Sequence, residues 1–161
     1  MIRTLVIGIG NAWRKDDAVG LLAAHALRER ALQGVSVVET TVIDPVLIEL
    51  FQGIDRLVVV DAVMSGAAPG SVHCFDLSLA PPPHTFSFDS CHALDLVTLL
   101  DLARVLGRLP PQVWVFGIEV ADFSHGQPVS KAVMTGVSAC VVAVSDLLTS
   151  GAEPPDNHQI A

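Results

Sequence analysis

The chain's 161 residues set 17 acidic side chains against 9 Lys and Arg, a formal net charge of -8, and 51% of them are hydrophobic. That length suits one domain, expected over residues 1–150, able to bury roughly two-thirds of its unfolded surface without a disulfide or cofactor. The acidic balance excludes sequence-independent nucleic-acid binding, which needs surplus Lys and Arg, and favours basic peptides or metal ions.

Few aromatics and many Val, Leu and Ala suit buried parallel strands covered by helices. The run Leu5-Val6-Ile7-Gly8-Ile9-Gly10-Asn11 predicts a strand over 4–9 closed by a tight turn. A helix over 17–33 comes next, with Val19, Leu22, Ala23 and Ala26 on one face, His25, Arg28 and Glu29 opposite, and Gly34 as its cap. A strand over 35–41 precedes Asp44-Pro45, which reads as an N-cap and first-turn proline of a short helix ending near Gly53. Strands over 57–60 and 72–75 lead to a long loop, 77–90, containing Pro81-Pro82-Pro83. A helix over 91–106, with Leu96, Leu99, Leu100 and Leu106, is stopped by Gly107 and Pro110-Pro111. A strand over 113–118 and a helix over 129–148, striped by Val129, Val133, Val137, Val141 and Val144, complete the series. This alternation predicts an α/β sandwich on a mostly parallel five-stranded sheet with right-handed crossovers. The polar, Pro-bearing tail 151–161 is expected to be disordered and dispensable.

The three cysteines, Cys74, Cys91 and Cys140, lack C-x-x-C spacing, so neither a disulfide framework nor a structural zinc site is expected. No apolar run is expected to reach the ~18 residues of a membrane span, and no signal peptide is recognisable. The expectation is a cytoplasmic protein with no membrane partner.

Gly8-x-Gly10 after a first strand invites a dinucleotide-binding reading, but Trp13 stands where the third glycine belongs, and Asp16 and Asp17 would repel a pyrophosphate. A nucleotide-binding regulator is therefore disfavoured and a cation fits better. Ligands of open α/β sheets bind beyond the carboxyl ends of the strands, where Asp17, Asp61 and His92 fall. As an O,O,N set they suit a divalent ion such as nickel or zinc, with positions left open for substrate or water. Singly, Asp17 reads equally well as a helix N-terminal carboxylate and His92 as a surface histidine. Asp61 comes after four buried β-branched or apolar residues, where an unbalanced carboxylate is costly. Asp16 reads as a base or hydrogen-bond partner beside this set. Cys91 at a helix N-terminus invites a nucleophile reading, but adjacent helical residues point about 100° apart, so His92 is poorly placed as its base and packing is preferred. The Gly8-Ile9-Gly10-Asn11 turn is expected to let a peptide or metal centre approach the backbone.

Gly8-Ile9-Gly10-Asn11 with Asp16-Asp17 and Gly20, then Val60-Asp61-Ala62, then Ser90-Cys91-His92, within residues 3–148, resemble the hydrogenase maturation proteases. The resemblance implies a three-layer α/β/α fold like that of phosphorylase-type hydrolases. It implies an endopeptidase that removes the C-terminal extension of a NiFe hydrogenase large-subunit precursor after nickel insertion. It also implies metal contacts at Asp17, Asp61 and His92, with nickel supplied by the substrate and other divalent ions able to occupy the site. The chain departs from many members by carrying Asp17 for glutamate, and Thr40-Thr41-Val42-Ile43-Asp44-Pro45 where a glycine-rich segment is linked with substrate recognition. Ser90 to Asp95, Asp122-Phe123 and Pro128 resemble the branch serving cytosolic bidirectional-type hydrogenases. The expected enzyme is a monomer; the alternative is a non-catalytic nickel-checkpoint or chaperone protein binding the same precursor.

Overall fold

The structure, a computed structural model, describes residues 1–13, 15–79, 93–121, 128–150 and 159–160. The opening apolar run forms β1 (Thr4–Ile9), buried at every position. The 3-10 turn Lys15–Ala18 leads into α1 (Val19–Glu29), then β2 (Val35–Thr40) and the 3-10 helix Pro45–Phe51. The remaining elements are β3 (Arg56–Val63), β4 (Val72–Asp76), α2 (Ala93–Val105), β5 (Gln112–Glu119), α3 (Lys131–Ser150) and β6 (Gln159–Ile160).

The sheet order is β2-β1-β3-β5-β4-β6. The first four strands in that order are parallel, and β4 is antiparallel to β5. The five expected strands are all present, joined by β6, which pairs with β4 through Val72↔Ile160 and His73↔Gln159. Those two residues belong to the tail expected to be disordered; β4 lies outside β5, and any extended dipeptide can satisfy the backbone groups of its outer edge.

Alternation along each strand divides the interior into two layers. One face of the sheet packs Leu5, Ile7, Leu57, Val59, Val63, Val113 and Val115 against α2 and the 3-10 helix Pro45–Phe51. The other packs Val6, Val58, Val60, Trp114 and Phe116 against α1 and α3. The resulting α/β/α layering agrees with the fold implied by the resemblance. Buried Arg56 ties the layers together at the amino end of the sheet, donating to the Leu147 carbonyl at 3.0 Å and to Gln112 Oε1 at 2.7 Å. Its burial lowers the guanidinium pKa from the ordinary value, and its place on the last carbonyls of α3 is one that a cation favours.

Several helix expectations change in detail. The helix expected over 17–33 is a 3-10 turn continuing into α1, which ends at Glu29 because Ala31 turns left-handed at φ 47°. Its buried face is Val19, Gly20, Ala23, Ala24 and Leu27, with Leu22 and Ala26 flanking it half-buried. Asp44 caps as expected, accepting from the Val46 N–H at 2.8 Å, but the helix it opens is 3-10 throughout. By length and mean hydropathy, α3 is apolar enough to cross a membrane, although polar residues interrupt its apolar run. Here its stripe Val133, Val137, Val141 and Val144 is part of the core.

Candidate active site

β1 connects to β2 on one side, whereas β3 leads towards β4 and β5 on the other. The gap between the carboxyl ends of β1 and β3 is therefore the topological switch point of this sheet, the place where such folds open a crevice. Glycines set how closely the chain packs there. A Cβ on Gly20 would lie 2.0 Å from the Ile9 carbonyl oxygen and 2.6 Å from that of Val60, so α1 starts directly on the ends of β1 and β3. A Cβ on Gly8 would meet the Gly20 oxygen at 2.2 Å, and one on Gly10 the Asp17 oxygen at 2.3 Å. This corrects the reading of the Gly8–Gly10 turn as an approach for ligand: the space beside those glycines is filled by the protein's own backbone. The Asn11 N–H closes the turn by donating to the Asp17 carbonyl at 3.1 Å.

The 3-10 turn carrying Asp16 and Asp17 packs against β3. Asp17 and Asp61 thus come to one edge of the sheet from neighbouring elements, and both are buried, 3% and 0% exposed. Burying two carboxylates is tolerable only where cations or N–H donors balance them. Asp61 does not end β3, as the sequence suggested, but sits inside it, because β5 extends the pairing through Asp61↔Gly117 to Val63↔Glu119. On the other side the last residue of β3 paired with β1 is Val60, opposite Gly8. Beyond that point the Ala62 N–H donates to Asp61 Oδ1 at 2.8 Å, giving the carboxylate a fixed hydrogen bond.

Asp16, 1% exposed, spans a different gap: it accepts from the Ser130 N–H at 3.1 Å and the Ala121 N–H at 3.4 Å. These contacts tie the end of β5 to the approach to α3. His92 and Cys91 lie outside the described residues, as do Asp122 and Phe123, although α2 begins at Ala93, next to His92. Among the described residues no group of three or more His, Cys, Asp and Glu side chains is arranged to hold a metal ion.

Sequence reasoning missed a second polar centre at this edge. Glu119, 1% exposed, accepts from the N–H groups of Ser65 (2.8 Å) and Gly66 (3.0 Å) and the Ser65 hydroxyl (2.8 Å). Its Oε2 is also 3.1 Å from His73 Nε2. The partners come from two other parts of the chain, so no local spacing announced them. Cys74, on β4, and Cys140, on α3, are buried in the apolar layer between them and are not joined by a disulfide, and burial pushes the Cys140 thiol far above its ordinary value.

A family model described as HycI, hydrogenase maturation protease, matches residues 21–146. The Escherichia coli hydrogenase 2 maturation protease is 28% identical over 120 residues, covering 73% of each chain. The hydrogenase expression/formation protein HupD of Rhizobium leguminosarum is 24% identical over 151 residues, 92% of this chain and 75% of that one. Among solved structures, the E. coli hydrogenase maturating endopeptidase HybD superposes with a TM-score of 0.79 at 23% identity, over 93% of this chain and 94% of the other. The Thermococcus kodakarensis HybD gives 0.71 at 24% identity, over 92% and 100%. The chain belongs to the hydrogenase maturation protease family and is a peptide-bond hydrolase.

Proposed function

We propose that this enzyme removes the C-terminal extension of a NiFe hydrogenase large-subunit precursor after nickel has been inserted, and that Asp17, Asp61 and His92 engage the nickel carried by that substrate. The observation that supports this most is the burial of Asp17 and Asp61 at the switch point, on elements held together by backbone contacts at Gly20. Nickel arriving within the precursor supplies polarisation of the scissile carbonyl. The chain contributes the rest. Asp61, fixed by the Ala62 N–H, and Asp17, carried on the turn before α1, present negative charge from a rigid frame, and their burial keeps water from weakening it. Asp16 holds the neighbouring segments through their N–H groups.

Two carboxylates and one imidazole fall short of the enclosed four-ligand sets that retain zinc, so affinity is completed by the substrate. Recognition of the ion then also positions the bond to be cut, coupling specificity to catalysis. The reading includes a monomer acting in the cytoplasm. Protein purified without metal is expected to contain little nickel or zinc, to release a C-terminal peptide from nickel-loaded precursor, and to spare the nickel-free form. One tightly retained zinc per chain, with unmetallated precursor cut at a similar rate, would make it a conventional zinc peptidase.

A further inference from the structure

The end of β3 runs beyond its ladder with β1. Residues 61–63 pair with β5 but have no partner in β1, and Asp61 is the first of them. The connection after β3, residues 64–71, consists mainly of small residues with left-handed glycines at Gly66 (φ 89°) and Gly70 (φ 88°), and it has little apolar surface of its own to bury. Besides the close packing of Gly70 on Ala132 and Gly136 of α3, several of its polar groups converge on one residue. The Glu119 carboxylate gathers the N–H groups of Ser65 and Gly66, the Ser65 hydroxyl and His73, while its peptide group exchanges hydrogen bonds with Gly70 and Ser71 at 2.8 Å each. Glu119 is opposite Val63 in the ladder and so shares a face with Asp61, two residues back along β3. Both ends of the connection are thus fastened to the strand residue that ends the β3–β5 ladder containing Asp61.

We propose that Glu119 is a positioning residue for the Asp61 carboxylate: by clamping the 64–71 connection onto the end of β5 it fixes residues 61–63 where they have no β1 partner. The proposal rests on the catalytic placement of Asp61 in the proposed function. The Ala62 N–H, bonded to Asp61 Oδ1, reports the position of that carboxylate independently of activity.

The test compares full-length Glu119→Ala and Glu119→Gln with the wild-type chain, using nickel-loaded precursor and amide hydrogen exchange at Ala62. In Glu119→Ala, kcat per folded molecule is expected to fall about 10- to 100-fold at unchanged KM, as for a reacting group displaced by about 1 Å, and Ala62 to exchange faster. Glu119→Gln keeps an oxygen for the Ser65 and Gly66 N–H groups and an amide that can donate to the Ser65 hydroxyl, so it recovers most of both. Where the alanine variant does not fold, Glu119→Asp keeps the charge, shortens the reach and is expected to lower kcat several-fold. Wild-type kcat in the folded alanine or aspartate variant, a loss confined to KM, or unchanged Ala62 exchange overturns the proposal. If wild-type protein leaves the precursor uncut while Ala62 still responds to Glu119→Ala, the substrate reading fails and the positioning role stands.

Discussion

Replacing Gly20 with alanine tests whether the backbone contact between α1 and the sheet sets the active-site geometry. The added Cβ would start 2.0 Å from the Ile9 oxygen and 2.6 Å from the Val60 oxygen, both main-chain atoms in buried strands. Neither atom can swing aside, so the start of α1 must lift by about 1 Å or more before the nearer contact reaches 3.0 Å. Overpacking of this kind costs about 1–3 kcal/mol, and at about 2–4 °C per kcal/mol for a chain of this size the melting temperature falls measurably. Asp17 lies three residues before Gly20 and moves with it, so cleavage per folded molecule should drop about 100-fold. Gly107→Ala is the control. It has no atom within 4 Å of the added Cβ, lies between α2 and β5 at the amino end of the sheet, and forces an alanine to φ 67° at a cost of about 1–2 kcal/mol. Both variants should melt lower, but only Gly20→Ala should lose activity when rates are corrected for the folded fraction by circular dichroism. A Gly20→Ala enzyme that melts low yet cleaves like Gly107→Ala would refute the idea that this contact places Asp17.

Asp17→Asn, Asp61→Asn and His92→Ala should each lower precursor cleavage about 100-fold or more, the scale of losing one preorganised polar group, with melting curves showing the fold retained. Asn at position 61 keeps an oxygen for the Ala62 N–H, so its loss of activity reports charge rather than structure. Asp16→Ala leaves the Ala121 and Ser130 N–H groups without their acceptor and should destabilise by about 1–3 kcal/mol in urea melts, whereas Asp16→Asn, with one acceptor oxygen for two donors, should recover only part of it. Cys74 and Cys140 should resist a thiol reagent at pH 8 in native protein and react after denaturation; for Cys140 the raised pKa keeps the thiol protonated there, and rapid native labelling would contradict its burial.

The strands were legible because each is a β-branched or apolar run bounded by turn residues, and the parallel order stems from the helices between them. The acidic edge was legible for a related reason: Asp17 and Asp61 come after such runs, and in an open α/β sheet that location is already a ligand site. The features that escaped are those decided by partners distant in sequence. Asp61 looked terminal because Ala62-Val63 alone cannot say that β5 continues to Glu119. Glu119 looked like one more charge beyond a strand, although its partners lie 46 and 54 positions away at His73 and Ser65. Gly8, Gly10 and Gly20 advertised a close approach without saying to what, and the structure assigns it to the protein's own helix.

The position of α3 has a consequence for how the chain reaches its native state. Of the described helices it is made last, yet its valine stripe covers Val60, Phe116 and Ile118 in the middle of the sheet. β3, the strand bearing Asp61, is flanked on one side by β1, made about fifty residues earlier, and on the other by β5, made about fifty later. A nascent chain that has finished β3 therefore exposes an unpaired hydrophobic edge and a bare apolar face until β5 and α3 emerge. Such non-local closure is slow and leaves intermediates open to aggregation. The edge carrying Asp61 is completed in the same late step, when β5 pairs with residues 61–63.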